Sequence, residues 1–236
     1  AAVITEICQE YSALLENRDA GIVAPRITYR DFVQLERETI ASGETRAFWN
    51  RKLQGASAQK LPRWPKNMRP GGHEQKRGPE IHLDDKVLPG LRRLAQQAGV
   101  PLKTVLLAAH ERVMSLMCGQ NDVITGLICN GRPEELDGEK LVGLFLNNVP
   151  LRLQLGKGTW IDLVRQTFSA EQEIIPHRRF PLAEIKKLTA GESLFETAFD
   201  FVHFHVYNRL QSSRGLDLAE GHYFEANNLT TYTTFM

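Results

Sequence analysis

The stretch Val142-Gly143-Leu144-Phe145-Leu146-Asn147-Asn148-Val149-Pro150-Leu151-Arg152 passes from a glycine-containing approach into an alternating run. From Val149 to Leu155, the apolar Leu151, Leu153 and Leu155 alternate with Arg152 and Gln154, the period of a strand with one buried face. Gly143 has no Cβ and allows a tight backbone path just before that strand. Asn147 and Asn148 bring amide groups to its start, and Arg152 is placed to hold the strand in position.

Working outward toward the C-terminus, Gly156-Lys157-Gly158-Thr159 shares part of a phosphate-loop pattern, but the earlier glycine is missing and Lys157 is followed by glycine. It reads as a plain turn. Thr159 caps an amphipathic helix reaching about Ile175, and Leu182 to Leu188 forms a shorter one. Phe195 to Val206 is apolar on both faces, as in a central strand covered on each side, and Thr230 to Met236 is rich in β-formers.

Toward the N-terminus, Asp122 to Cys129 is a β-branched strand. Pro101 opens a helix whose expected apolar face is Leu102, Val105, Leu106, Ala109, Val113 and Leu116. Before it, Asp84 and Asp85 cap a helix that Gly99 ends after Ala98, and Glu80 to Leu83 is a short strand candidate. Residues 80–236 therefore read as one layered α/β domain.

Residues 55–79 hold Pro62, Pro65, Pro70, Gly71, Gly72, Gly78 and Pro79, which marks a linker. Its basic residues, Lys60, Arg63, Lys66, Arg69, Lys76 and Arg77, suit a solvated loop; nucleic-acid binding would need interleaved aromatics, and only Trp64 is present. Residues 1–54 form a helical section. Ile4, Ile7, Cys8, Tyr11, Leu14 and Leu15 share one helical face, and Thr28 caps a helix with Asp31 in its first turn and Phe32 and Leu35 on one side. Ser42-Gly43-Glu44 breaks that helix, and the next buries Phe48, Trp49 and Leu53. The first helix opens at Ala1 with no N-cap and the last strand has no closing turn, so the native protein is expected to continue beyond both ends.

The chain is 42% hydrophobic and 24% charged, with 29 basic against 28 acidic residues, so it can build a core and carries no net field toward nucleic acid or anionic membrane. No apolar run reaches the roughly 20 residues of a membrane span, and no signal peptide opens the chain, so a cytoplasmic location is expected. Cys8, Cys118 and Cys129 lack metal-ligand spacing and read as small buried hydrophobes. His203 and His205 fall on one face of a strand beside Phe199 and Phe201, but no third ligand lies near, which favours a core or tunnel wall over a metal site. His82 and His110 read as structural.

Two segments carry a family likeness. Tyr29-Arg30-Asp31-Phe32 and, more specifically, Val142 to Arg152 resemble condensation domains of nonribosomal peptide synthetases, with Leu146 and Asn148 departing from the usual Val and Thr. Asp122-Val123-Ile124-Thr125-Gly126, Asn130-Gly131-Arg132-Pro133, Ala47-Phe48-Trp49 and Leu61-Pro62 also resemble family segments. The next motif is matched at His177, Phe180 and Pro181 but not at Arg178, Arg179 and Ala183, and of the last only Leu194 survives.

The resemblance implies an α/β fold similar to chloramphenicol acetyltransferase: two lobes in a V with a tunnel between them. This chain would supply mainly the second lobe, a mixed sheet flanked by helices, plus bridging helices of the first. The implied reaction is amide formation between a carrier-bound acyl or peptidyl thioester and a carrier-bound aminoacyl amine, both on phosphopantetheine arms. Upstream and downstream peptidyl carrier domains and an adjacent adenylation domain are the implied partners. No cofactor or metal bound directly to the chain is implied, nor nucleic acid or membrane. The family's catalytic histidine lies in a His-His-x-x-x-Asp-Gly segment that this chain does not contain and that the resemblance places directly upstream of Ala1. No catalytic residue is therefore assigned, and the chain alone is expected to be inactive. Expected tunnel-lining residues are Asn147, Asn148, Phe145, His177, His203 and His205, and Tyr29, Asp31, Gly143 and Arg152 carry the structural motifs. A noncatalytic carrier-binding module, or a related acyltransferase, epimerisation or cyclisation domain, is the alternative.

Overall fold

A computed structural model describes residues 2–63, 83–84, 86–203 and 229–235. Strand β1 (Asp122–Asn130) pairs antiparallel with β2 (Leu146–Gln154) along its full length, Asp122 opposite Gln154 and Asn130 opposite Leu146. On its other side β1 pairs parallel with β3 (Thr197–His203), which pairs antiparallel with β4 (Leu229–Phe235). The sheet is thus mixed, in the order β2-β1-β3-β4. Strand β2 starts three residues earlier than the alternation beginning at Val149 implies, because Leu146 to Asn148 continue the ladder with Asn130 to Ile128.

Seven helices are described: α1 (Ala2–Leu15), α2 (Tyr29–Ala41), α3 (Gly43–Leu53), α4 (Val87–Ala98), α5 (Leu102–Cys118), α6 (Trp160–Ile174) and α7 (Leu182–Leu188). Their ends follow local chemistry. Thr28 and Asp31 form a capping box at α2, Ser42 Oγ accepts from Thr45 N at 3.1 Å to start α3, and Thr159 and Asp162 form a box at α6. Gly99 ends α4 at φ 72°, a left-handed conformation suited to glycine. The Asp84 carboxylate accepts from Lys86 N and its carbonyl from Val87 N, so α4 starts at Val87 rather than directly after the acidic pair.

Several expectations fall on residues outside the described ones. Ala1, from which the first helix was expected to run and upstream of which the catalytic segment was placed, is among them, and the described helix begins at Ala2. Asp85, His82, the strand candidate before Leu83 and the linker from Trp64 to Pro79 also lie outside.

Two expected faces need correction. On α5 the buried residues are Thr104, Val105, Leu107, Ala108, His110, Glu111, Met114 and Ser115, while Val113 and Leu116 are exposed. The buried stripe is rotated because polar residues on it find partners: Thr104 Oγ1 donates to Glu171 at 2.7 Å and His110 lies 2.8 Å from Thr125 Oγ1. On α1 only Ala13 is buried, and Ile4, Ile7, Tyr11, Leu14 and Leu15 face outward. The three cysteines are half-buried rather than enclosed.

The main core joins the sheet to α3, α5, α6 and α7 through Trp49, Leu107, Ile124, Val149, Leu151, Ile174, Phe180, Ile185 and Phe199, each almost fully buried. Two devices bring the residues before Arg63 into this core. Gln59 donates its backbone N–H to Leu194 O and accepts from Ile124 N, so the described part of the expected linker, residues 55–63, is tied to the sheet. Arg152 grips Asp122 with two N–H groups at 2.6 and 2.8 Å and donates to the carbonyls of Lys52 and Gln54, closing the C-terminus of α3 with a cation.

Candidate functional site

Alternation along the strands sorts the candidate residues onto two faces. Thr125 and Phe199 face α5, through a hydrogen bond and a ring contact with His110 respectively. Residues one step along, Gly126 and Ile128 on β1, Asn148 on β2 and Ala198 and Asp200 on β3, face the other way. The middle of this second face is closed by Phe195 and by Pro150 against Leu182 and Ile185 of α7. Among the described residues its far end is open: Ile128, Asn148 and Asp200 are half-buried, and Asn130 and Leu146 are exposed.

Asn148 lies flat over Gly126. A Cβ on Gly126 would stand 2.3 Å from Asn148 Oδ1 and 2.6 Å from the Phe195 ring, so glycine is required for the amide to lie there. Asn148 Oδ1 is buried without a hydrogen-bond partner among the described residues. Burial raises the Asp200 carboxyl above the ordinary range, partly opposed by its hydrogen bond with the Phe201 backbone. The open end therefore carries the amides of Asn148 and Asn130 and the Asp200 carboxyl beside the apolar Ile128 and Leu146.

Asn147 turns the other way. Its Nδ2 donates to the carbonyls of Arg178 at 2.9 Å and Phe180 at 2.8 Å, and its Oδ1 accepts from Leu182 N at 3.3 Å. It fixes the path between α6 and α7. His177, in the 3-10 turn Ile175–His177, stacks on Phe48 with centroids 4.0 Å apart and lies 2.9 Å from Thr45 Oγ1 through Nδ1. Burial lowers its pKa, which favours the neutral ring in this packing role.

Phe145 is buried in an aromatic group with Tyr29 at 5.3 Å and Phe32 at 5.0 Å, and the Arg132 guanidinium sits 4.0 Å over its ring. Gly143 is explained here: its Cβ would fall 2.4 Å from the Tyr29 ring, whose hydroxyl donates to Leu144 O at 3.0 Å. The backbone at Gly143 is not left-handed, so close approach by the ring, not an unusual turn, requires glycine. Asp31 serves the cap of α2, accepting from Thr28 N at 2.6 Å. His203 pairs with Leu229 at the end of β3, and His205 lies outside the described residues. Among the described residues no group of His, Cys, Asp or Glu is arranged to hold a metal, and no helix is long and apolar enough to cross a membrane.

Reading the sequence alone missed Gly126, Phe195 and Asp200 as site residues. Gly126 interrupts an apolar strand, the usual sign of close approach by another group, and that was the available signal. Asp200 in an otherwise apolar run was the other.

Comparison with known proteins adds four findings. The sequence profile described as "Condensation domain" matches residues 1–231. The chain is 35% identical over 209 residues to AMB antimetabolite synthetase AmbE of Pseudomonas aeruginosa, a match covering 86% of this chain and 9% of that protein. Its fold superposes on the first condensation domain of the CDA synthetase with a TM-score of 0.67 at 20% identity, covering 82% of this chain and 43% of that one. A solved complex of the X-domain and OxyB from teicoplanin biosynthesis matches with a TM-score of 0.63 at 17% identity, covering 85% of this chain and 54% of that one.

Proposed function

The chain belongs to the condensation-domain family, and from that premise we propose that it supplies one wall of a cleft in which an amide bond forms between two carrier-borne substrates. The acyl or peptidyl thioester on one phosphopantetheine arm is attacked by the aminoacyl amine on the other. The carbonyl carbon gains the C–N bond, the C–S bond breaks, the released thiolate takes up a proton, and the amine loses one. The chain spans a small part of the relatives it matches, and the His-His-x-x-x-Asp-Gly motif does not occur among its residues, so no proton-handling histidine is assigned here.

The observation that carries this reading is the open end of the second sheet face. Asn148 and Asp200 there offer an amide and a carboxyl whose pKa burial raises, beside apolar side chains, groups able to orient an amine and a thioester. Asn147, Phe145 and His177 support that wall from behind by fixing the turn and loop that flank β2. Peptidyl carrier domains on either side and an adjacent adenylation domain fit the multidomain synthetases among its relatives, and cytoplasmic synthesis fits the same setting.

The test is reconstitution with two loaded carriers. The chain joined to its upstream segment should form the amide, and the chain alone should not. Product from the chain alone would overturn the claim that it is only one wall.

A second reading is a noncatalytic binding module. It is favoured by the match to the X-domain, which has been solved in complex with a partner protein, OxyB. Tight binding of a phosphopantetheinylated carrier with no turnover, even with the upstream segment restored, would decide for it.

A further inference from the structure

Strands β1 and β3 pair at two steps, Gly126 with Ala198 and Leu127 with Phe199, although β1 runs on to Asn130 and β3 to His203. On their outer sides both stay paired, β1 with β2 as far as Asn130–Leu146 and β3 with β4 as far as His203–Leu229. The sheet is therefore parted down its middle, between Ile128 to Asn130 on one side and Asp200 to His203 on the other. The parting lies at the open end of the second face.

The direction of the backbone groups shows what lines this gap. Leu155 N donates to Asn121 O at 2.8 Å and Gly131 N to Phe145 O at 2.7 Å, one pair beyond each end of the β1–β2 ladder. The odd-numbered residues of β1 thus spend their N–H and C=O groups on β2, and the even-numbered Gly126, Ile128 and Asn130 turn theirs toward β3. The next rung after Leu127–Phe199 would carry the Phe201 N–H to Ile128 O. Two side chains take the place of such rungs. The Phe201 backbone hydrogen-bonds to the Asp200 carboxyl, a short polar side chain competing with the ladder. One carbonyl further along β1, Asn130 O accepts from Arg178 Nε at 3.0 Å.

Two acceptors are left beside the gap: Ile128 O, without its rung to β3, and the Asp200 carboxyl, set in an otherwise apolar part of β3. Other acids of the sheet and its helices have cations beside them: Asp122 holds Arg152, Glu171 holds Lys103, and Glu196 holds Arg63. Among the described residues no cation acts on Asp200, and burial raises its pKa accordingly. Of the groups that the proposed reaction brings together, the thioester offers only acceptors. A pantetheine amide has one N–H and fills one acceptor. An amine fills both, and its lone pair then points away from them, free to face the thioester carbon.

We infer that Ile128 O and the Asp200 carboxyl seat the attacking amine of the aminoacyl group on the downstream carrier, and that Asp200 makes this seat by ending the β1–β3 ladder. The inference rests on the amide-forming reading above and deepens it by naming the two acceptors that hold the amine. Asp200 binds and orients; no bond is made or broken at it.

The experiment uses the full synthetase with Asp200→Asn and Asp200→Val, and two carriers added in trans as competitors of its own aminoacyl carrier. One bears glycyl, the other glycolyl, which has a hydroxyl in place of the amine. The unaltered synthetase should hold the glycyl carrier about tenfold more tightly, since a hydrogen bond to a charged group is lost in glycolyl. Asp200→Asn keeps an acceptor for the Phe201 N–H but removes the charge, and should weaken the glycyl carrier about tenfold while leaving glycolyl within about twofold. Asp200→Val lets the ladder close, so it should also abolish the preference and slow hydrogen exchange at Phe201 about tenfold or more. A glycyl preference retained in Asp200→Asn, or equal weakening of both carriers, would overturn the inference. An unchanged preference in Asp200→Val would do so too, because the gap would then be filled by the chain's own residues. Loss of all binding in both variants would assign Asp200 to folding and overturn it as well. Absence of amide product from the unaltered synthetase with its own loaded carriers would instead sink the functional reading itself.

Discussion

Two regions of this chain bury charge, and they do so in opposite ways. Around the β1–β2 loop, Arg132, Arg178 and Arg179 direct their N–H groups to carbonyls and to Glu134. Along α5, Glu111 is fully enclosed and neither carboxyl oxygen has a hydrogen-bond partner among the described residues. The first arrangement leaves the charge in place and converts it into fixed backbone geometry. The second disfavours the charge: burial pushes the Glu111 pKa well up, toward the neutral acid. Charge that orders structure lies beside the candidate cleft, and charge that is merely tolerated lies between helices behind the sheet.

Breaking the first arrangement should have the largest effect. Arg178→Ala removes the side-chain donor from Asn130 O, leaves Ile175 O with the residue-178 backbone N–H alone and Glu134 with Arg179 alone, and should lower the unfolding free energy by about 2 kcal/mol. Chemical denaturation of the chain joined to its upstream segment measures this. A loss under about 1 kcal/mol would mean that water replaces the guanidinium at the loop, and the contrast between the two regions would collapse.

The second region can be probed by pH, because neighbouring residues on α5 respond with opposite sign. His110 is held neutral, its pKa lowered by burial to about 4 from 6.5. The unfolded chain takes the proton first as pH falls, so His110 contributes stability above pH 6.5 that is lost as pH falls toward 4, in all about 3 kcal/mol. Glu111 works the other way: its folded pKa lies above its unfolded value of about 4.5, so its contribution is present below that pH and declines as pH rises. Comparing Glu111→Leu with the unaltered chain should show a gain of about 1 to 2 kcal/mol at neutral pH that shrinks toward pH 4. A gain constant across that range would show that Glu111 is not protonated in the folded state. His110→Gln should remove most of the acid-side loss, and retention of the full slope would assign it to other groups.

The same contrast explains how far the sequence could be read. The cap at Thr159, the end of α4 at Gly99 and the span Leu182 to Leu188 were legible because each depends on residues within one turn. The family segments around Val142 to Arg152 made the fold legible as well. The buried face of α5 was not, since Thr104 and His110 look solvent-facing until Glu171 and Thr125 are brought to them by chain folding. Gly143 failed for the same reason, its cause being the ring of Tyr29 far back in sequence. Asn147 and Asn148, adjacent and chemically identical, were grouped together, although the pleat sends one to the α6–α7 turn and the other over Gly126.

The smallest predicted effect sharpens the comparison from the surface. At α6 the Asp162 carboxylate accepts from Thr159 N at 2.8 Å and from Thr159 Oγ1 at 2.7 Å, and these donors lower its pKa. Here the acid stays charged because water and the helix end both favour the anion, so it resembles the arginine clasp in chemistry and differs from it only in burial. Thr159→Ala removes the hydroxyl but not the backbone donor, and should cost about 1 kcal/mol, below Arg178→Ala. The cap's contribution is present above the ordinary carboxylate range and fades as pH falls through the lowered value, so the difference between Thr159→Ala and the unaltered chain should narrow in acid. If instead the Thr159→Ala loss equalled or exceeded that of Arg178→Ala, burial would not be what separates the two, and the rank order argued from desolvation would fail.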